Sequence, residues 1–87
     1  MKLWLIGKRG GLAREGDPWR PWYDKAYGFV VRAETEADAR RLANENGGDE
    51  RREIPGVYPW LDSEFSTCVE LTADGERGVV LCNFANG

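Results

Sequence analysis

The stretch that decides the fold is GFVVRAETEADARRLANENGG, residues 28–48, because the spacing of its apolar residues changes part-way along. Apolar residues alternate through Phe29, Val31 and Ala33, and this period of two predicts a strand. Beyond residue 34 the apolar residues recur every three or four positions, which is typical of a helix. A strand that leads directly into a helix is therefore expected here.

Helix-boundary signals surround that second half. Thr35 is followed three residues later by Asp38, a variant of the capping box that predicts a helix start. A narrow stripe of small apolar residues would let the helix lie close to a sheet: Ala39, Leu42 and Ala43. Glu36 and Arg40 are spaced to form an ion pair on the exposed side. Residues 46–48, Asn-Gly-Gly, predict the end, since glycine adopts the left-handed conformation that often follows the last turn.

Two further segments complete the predicted sheet. Residues 2–8, KLWLIGK, carry apolar side chains on both faces and predict a central or well-packed strand. Residues 67–72 and 78–84 flank Asp74-Gly75, a turn dipeptide, and predict a hairpin. The expected fold class is α+β: a small, mostly antiparallel sheet of about four strands, with one helix packed on one face and long aromatic loops. A split barrel without a packed helix is the alternative.

Size and composition indicate a single domain over residues 1–87, with a small core. No apolar run approaches the roughly 20 residues that cross a bilayer, and no signal-peptide pattern is present, so we expect a cytoplasmic protein, in the host cytoplasm if phage-encoded. The chain has no histidine, and Cys68 and Cys82 fit no zinc spacing. We expect no metal and no cofactor, and we expect both thiols to be reduced.

The segment DPWRPWYDKAYGF, residues 17–29, concentrates aromatic rings and prolines in a long loop. In one interpretation the rings cover the sheet face that the helix leaves free: Trp19, Trp22, Tyr23 and Tyr27. In the other, some rings remain exposed beside Arg20 and Lys25, a composition typical of interface hot spots, and Trp60 extends the patch. Both interpretations remain open at this point, and they can hold for different rings.

Charge is distributed unevenly along the chain. Residues 1–32 carry a net charge of +4 and residues 33–87 a net charge of −7. If part of the acidic excess lies on one face, that face suits a basic partner or a surface that normally holds nucleic acid. The candidate carboxylates are Glu34, Glu36, Asp38, Asp49, Glu50 and Glu53. Solvated charges that only keep the protein in solution are the alternative.

Catalysis is not expected, because the commonest general base is missing and no nucleophile has a base at a recognisable spacing. We therefore predict no catalytic residues. A single-strand nucleic-acid-binding module stays as an alternative, since aromatic residues interleaved with Lys and Arg can stack bases. The low isoelectric point, about 4.9, argues against direct nucleic-acid binding.

The segments DPWRPWYDKAYGFVVRAETEADARRLA and PWLDSEFSTCVEL resemble a small family of uncharacterised bacterial and phage proteins with a DPWxPWYDKAxGF motif. That family implies no activity and no site residues. In size, acidity and order of elements the chain is more loosely similar to anti-CRISPR proteins, phage-encoded inhibitors of CRISPR effectors. This second resemblance is one of architecture and has no shared motif.

These observations lead to one expected function and, beside the single-strand nucleic-acid-binding module, one further alternative. We expect a non-enzymatic, phage-associated inhibitor that binds a host defence effector, such as a CRISPR–Cas complex, and blocks its access to nucleic acid. In this hypothesis Trp19, Trp22 and Tyr23 anchor the complex while the acidic residues orient it. The alternative is an accessory protein of a phage or bacterial operon that forms a homodimer through the aromatic loop. No membrane partner is expected.

Overall fold

The fold was analysed in a computed structural model, which describes residues 1–20 and 24–82. The strands and α-helix of this part of the chain are β1 (Lys2–Lys8), β2 (Gly28–Ala33), α1 (Glu36–Asn46) and β3 (Ser66–Leu71), and short 3₁₀ helices span Arg14–Gly16 and Asp49–Arg51. The strands form an antiparallel sheet in the order β2-β1-β3, and α1 packs against it. The predicted α+β class is confirmed. No helix in the described ranges is long and apolar enough to cross a membrane.

Strand β1 lies in the centre of the sheet, as its two-sided apolar pattern predicts. Trp4 and Ile6 are buried on the side that carries α1. Ile6 is opposite Phe29 on β2 and Cys68 on β3, and both of these residues pack against the core. The buried indole of Trp4 donates a hydrogen bond to the Ala33 carbonyl oxygen at 3.0 Å. The core therefore lies between this face of the sheet and the helix.

Helix α1 begins where the capping signal predicts. Thr35 is its N-cap, and its Oγ1 accepts a hydrogen bond from the Asp38 backbone N–H at 3.2 Å. This bond satisfies one of the N–H groups that the first turn leaves without a partner in the helix. Ala39 and Ala43 are fully buried against the core. Their small side chains allow the helix to approach the sheet closely.

The end of α1 falls at the predicted position, but the predicted reason is wrong. Gly47 has φ of −71°, which is not the left-handed conformation. Glycine is required there by space. A Cβ at Gly47 would lie 2.6 Å from Glu50 Oε2, and one at Gly48 would lie 2.4 Å from the Asp24 backbone oxygen. The two glycines therefore allow the chain after the helix to pack tightly against neighbouring loops.

The sheet has three strands in the described part of the chain, and not the four that were predicted. Strand β3 matches the first half of the predicted hairpin, but residues 78–82 form no strand, and residues 83 and 84 lie outside the described ranges. Val79 and Val80 are 85% and 76% exposed. Strand propensity depends on side-chain burial, and these valines find no apolar surface that would offset the cost of ordering a strand.

Arg40 is also placed differently from the prediction. It does form the expected ion pair with Glu36, at 2.9 Å, but the Arg40 side chain is buried and not on the exposed side of the helix. Its guanidinium donates hydrogen bonds to the Trp60 carbonyl oxygen at 3.2 Å and to Ser66 Oγ at 2.8 Å. It also donates to the Ser66 carbonyl oxygen at 3.2 Å. Arg40 thus ties α1 to the start of β3 and to the loop before it.

Candidate functional site

The second face of the sheet is an exposed apolar surface. Residues opposite one another in an antiparallel sheet point to the same side, so the pairing register identifies this face. We call it the open face; its register positions are Leu3, Leu5, Gly7, Gly28, Val30, Arg32, Thr67, Val69 and Leu71. Val30 is 53% and Val69 56% exposed. Antiparallel sheets commonly leave one face to solvent, but that face is then usually polar, whereas the strand positions of the open face are mainly apolar.

The aromatic loop does not supply the missing cover in its described part. Trp19 is fully buried in the core cluster, on the same side as the helix, together with Trp4, Ile6 and Trp60. Tyr27 is 60% exposed. The prediction that these two rings cover the free sheet face is therefore wrong. Trp22 and Tyr23, which belong to the same prediction, lie outside the described residues.

Trp19 and Trp60 form the centre of the core. Their rings meet edge to face with centroids 5.3 Å apart, and Phe29 meets Trp60 in the same manner at 5.0 Å. The indole of Trp19 donates a hydrogen bond to the Ala26 carbonyl oxygen at 2.6 Å. Such pairs contribute about 0.5–1.5 kcal/mol beyond the area they bury. As fully buried side chains, neither tryptophan presents the exposed ring that the interface hypothesis expected.

Glu50 was expected on an acidic surface, but its side chain is fully buried. One carboxylate oxygen accepts a hydrogen bond from the Ala26 N–H at 2.8 Å. The other accepts from the Gly48 N–H at 2.6 Å and from the Trp60 indole at 2.9 Å. A buried carboxylate is tolerated when donors satisfy it. Glu50 therefore joins three loops inside the protein and does not contribute to a docking surface.

The other candidate carboxylates are at least partly exposed, but most of them have a cationic neighbour. Glu34 lies 3.8 Å from the N-terminal amine, and Asp49 lies 3.5 Å from Arg52. Asp38 pairs with Arg41 and raises the pKa of that guanidinium through a hydrogen bond and its charge. Glu53 is exposed. These ion pairs, together with the Glu36–Arg40 pair, reduce the negative potential that the acidic excess was expected to produce.

Of the predicted basic contacts, Arg20 is exposed and Lys25 is half-buried. Lys25 Nζ donates a hydrogen bond to the Trp19 carbonyl oxygen at 2.8 Å and lies 5.8 Å from the centroid of the Tyr27 ring. Cations at this distance from a ring face are attracted to it. The ammonium group is thereby held beside Tyr27, at the end of the open face where β2 begins.

A cavity of about 440 Å³ adjoins that same end of the open face. Its lining includes Leu5, Val30, Tyr27 and Leu81. Its floor passes Gly7 and Gly28, which face each other across β1 and β2 and have no side chains to fill the space. The volume is within the range of small-molecule sites, and the lining is mainly apolar. The cavity is sized to receive one large apolar group.

The sequence contained a signal for the open face that the prediction did not use. Val30 and Arg32 alternate with the core-facing residues of β2, and Leu3 and Leu5 alternate with those of β1. This alternation does not show whether another segment of the chain covers the second face. The sequence held no signal for the buried hydrogen bonds of Arg40, because its partners Trp60 and Ser66 lie 20 and 26 residues further along the chain.

The two cysteines lie on different sides of the sheet. Cys68 packs against the core beneath α1, whereas Cys82 is exposed and lines the cavity. Both are free thiols, as expected. Burial raises the pKa of the Cys68 thiol, and the negative charge of Glu36 raises it further. Within residues 1–20 and 24–82, no group of three or more potential metal-ligating side chains occurs.

Iodoacetamide at about pH 8 is expected to alkylate Cys82 several-fold faster than Cys68. The thiolate is the reactive form, and burial reduces both the thiolate fraction of Cys68 and the access of the reagent to it. Mass spectrometry of proteolytic fragments over time measures both rates. Raising the pH toward about 10 should narrow the difference, since more of Cys68 then ionises. In urea-unfolded protein the rates should converge. Equal rates in the folded protein would contradict the placement of Cys68.

Comparison with known proteins adds no relative. No protein-family model, curated protein or solved structure matches the chain. The function is therefore inferred from the geometry of the open face and from the charges around it.

Proposed function

We propose that this protein is a non-enzymatic binding protein that docks on a partner protein through the open face. The observation that carries the proposal is the exposure of Val30 and Val69 at the middle of a sheet face on which no helix or strand of residues 1–20 and 24–82 packs. Contiguous apolar surface on a small protein costs free energy in water and commonly marks an interaction site. Tyr27 and Leu81 extend this surface at the end where the cavity lies.

The partner we propose is a host nucleic-acid-handling complex, with the protein acting as a phage-associated inhibitor in the manner of anti-CRISPR proteins. The overall negative charge supports this choice, because acidic proteins are attracted to the basic grooves that hold nucleic acid. On this hypothesis the open face sets the lifetime of the complex, and the exposed carboxylates, such as Glu53, chiefly speed its formation.

A pair of matched variants tests this proposal. Val30→Asp places a charge on the open face, whereas Leu61→Asp places one at another exposed apolar residue, which lines a separate surface cavity with Glu36 and Arg40. We expect the wild type and Leu61→Asp to capture the same complex from a host lysate, and Val30→Asp to lose it by at least about tenfold, since burying an unpaired charge opposes docking.

The captured complex then provides the functional readout. Purified wild-type protein should reduce its binding to a labelled nucleic acid in a gel-shift assay, and Val30→Asp should not. Circular dichroism confirms that each variant is folded. Capture that is unchanged in Val30→Asp would refute docking through the open face. A Val30-dependent partner with no role in nucleic-acid handling would refute the inhibitor proposal and leave the docking surface intact.

Self-association is the second candidate function, because the exposed face that binds a partner can also bind a second copy. Light scattering over a range of concentrations distinguishes the two. A wild-type dimer that becomes a monomer on Val30→Asp substitution would favour self-association. A monomeric wild type would favour a different partner.

A further inference from the structure

The dimensions of the open face decide what kind of partner element it fits. Three strands of about six residues give a surface of about 20 Å by 14 Å, or about 300 Å². A standard protein interface buries about 800 Å² on each side. The open face by itself is therefore too small for face-to-face packing with a second sheet. A single α-helix, about 10–12 Å wide with its side chains, matches its width.

The layer on the other side of the sheet supports the same conclusion. There, α1 covers Trp4, Ile6 and their neighbours with one helix of 11 residues. A second helix on the open face would complete a helix-sheet-helix arrangement, in which apolar strand residues are covered on both sides. The length of the face corresponds to about 13 helical residues, at 1.5 Å per residue.

Charge at the rim of the open face selects the chemistry of that helix. Among its register positions the charged residue is Arg32, and no carboxylate is present. Lys25 lies at the other end of β2, where its ammonium is held beside Tyr27. Arg32 near one end of β2 and Lys25 before the other therefore bring two cations to this edge, while Glu34, two residues after Arg32, pairs with the N-terminal amine. A second copy docked by the same face would bring its Arg32 against register positions that hold no carboxylate.

From size and charge together, we propose that the open face binds an amphipathic α-helix that belongs to the partner. One flank of this helix is acidic, and its apolar side supplies a large residue that enters the cavity. This inference rests on the proposed docking function and names the element that docks. Tyr27 and Arg32 are separated by about 17 Å along β2. The same distance on a helix is about 11 residues, and residues 11 apart lie on one flank, since they are about three full turns apart.

Synthetic helical peptides of about 14 residues test the inference directly. The first peptide has leucines and one tryptophan on its apolar side and glutamates about 11 residues apart on one flank; the second has lysines in place of those glutamates. Fluorescence anisotropy of labelled peptides measures binding. We expect the glutamate peptide to bind wild-type protein at least about tenfold more tightly than the lysine peptide, with the preference lost in 1 M salt.

Variants of the protein assign that preference to the proposed contacts. Arg32→Glu should remove or reverse the preference between the peptides, while Arg14→Glu, at an exposed residue of the loop between β1 and β2, should leave it unchanged. Val30→Asp and Val69→Asp should each abolish binding of both peptides. The second of these changes a different strand, so that a folding defect in one variant does not decide the result.

The possible outcomes separate this inference from the proposed function. The proposal of an acidic helix is overturned if neither peptide binds or if both bind equally. In that case docking through the open face still stands, provided that capture of the partner complex depends on Val30. Capture that does not depend on Val30 overturns both. A Val30-dependent homodimer identifies a second copy as the occupant and overturns the helix proposal.

Discussion

Replacement of Glu50 by glutamine is expected to lower the free energy of unfolding by about 2–3 kcal/mol. The Glu50 carboxylate accepts from three N–H donors, on Ala26, Gly48 and Trp60. Glutamine has one oxygen and one NH₂ group, so at least one of these donors would face another donor in a buried site. Leaving a buried donor unsatisfied costs about 1–3 kcal/mol, and hydrogen bonds to a charged acceptor are stronger than neutral ones.

Urea denaturation followed by circular dichroism measures this loss. Glu53→Gln is the matched control, because it makes the same chemical change at an exposed residue three positions later, and it should alter stability by less than about 0.5 kcal/mol. If Glu50→Gln were as stable as the control, the buried three-donor arrangement would be wrong, and Glu50 would again be available as a surface carboxylate.

Replacement of Trp60 by alanine is expected to have the largest effect on stability, about 3–5 kcal/mol. The Trp60 ring is fully buried and packs edge to face with Trp19 and Phe29. Its removal leaves a cavity in the core, and it also removes one of the donors to Glu50. A chain of this length has a total stability of about 4–13 kcal/mol, so the variant is expected to be marginally folded or unfolded.

Two other substitutions make this result interpretable. Tyr58→Ala removes an exposed ring two residues earlier and should cost less than about 1 kcal/mol. Trp60→Phe retains most of the ring contact but loses the indole N–H, so its cost should lie between those of the other two variants. Thermal melts of the three variants give the ranking. A Trp60→Ala variant no less stable than Tyr58→Ala would show that Trp60 is not a core residue.

These two predictions also bear on the docking proposal. Glu50 and Trp60 hold the loops that carry Trp19 and Ala26, and the chain runs from Ala26 directly into Tyr27 and β2. Disruption of this network should therefore disturb the open face indirectly. Variants of Glu50 or Trp60 that lose partner binding do not locate the interface, whereas the exposed residues Val30, Val69 and Arg32 do.

Local structure was predictable from sequence wherever short-range signals were sufficient. The alternation in β1 and β2, the Thr35 cap and the small-residue stripe of α1 depend on neighbours within a few residues, and each of these predictions is confirmed. The central position of β1 also followed, because a strand with apolar residues on both sides is favoured in the middle of a sheet. The α+β class followed from the order of these elements.

Predictions that required knowledge of long-range contacts were less successful. The Asp74-Gly75 turn signal indicated a hairpin, but Val79 and Val80 after it stay exposed, and residues 78–82 form no strand. The left-handed conformation expected of the glycines that end α1 was wrong, because the need for glycine at residue 47 comes from the close approach of the buried side chains of Glu50 and, from further along the chain, of Trp60. Local propensity carries no information on such approaches.

In the candidate site, too, local features were predictable from the sequence and long-range contacts were not. By itself, the sequence determined that this chain forms strands with two apolar faces, a single amphipathic helix and a loop rich in aromatic rings, because periodicity and capping are local properties. Only the tertiary structure decided that Trp19, Trp60 and Glu50 are buried together while Val30 and Val69 stay exposed. Burial depends on which segments meet in space, and in the described part of the chain one short helix, with Trp19 and Trp60 packed on its side, leaves Val30 and Val69 on the other face exposed.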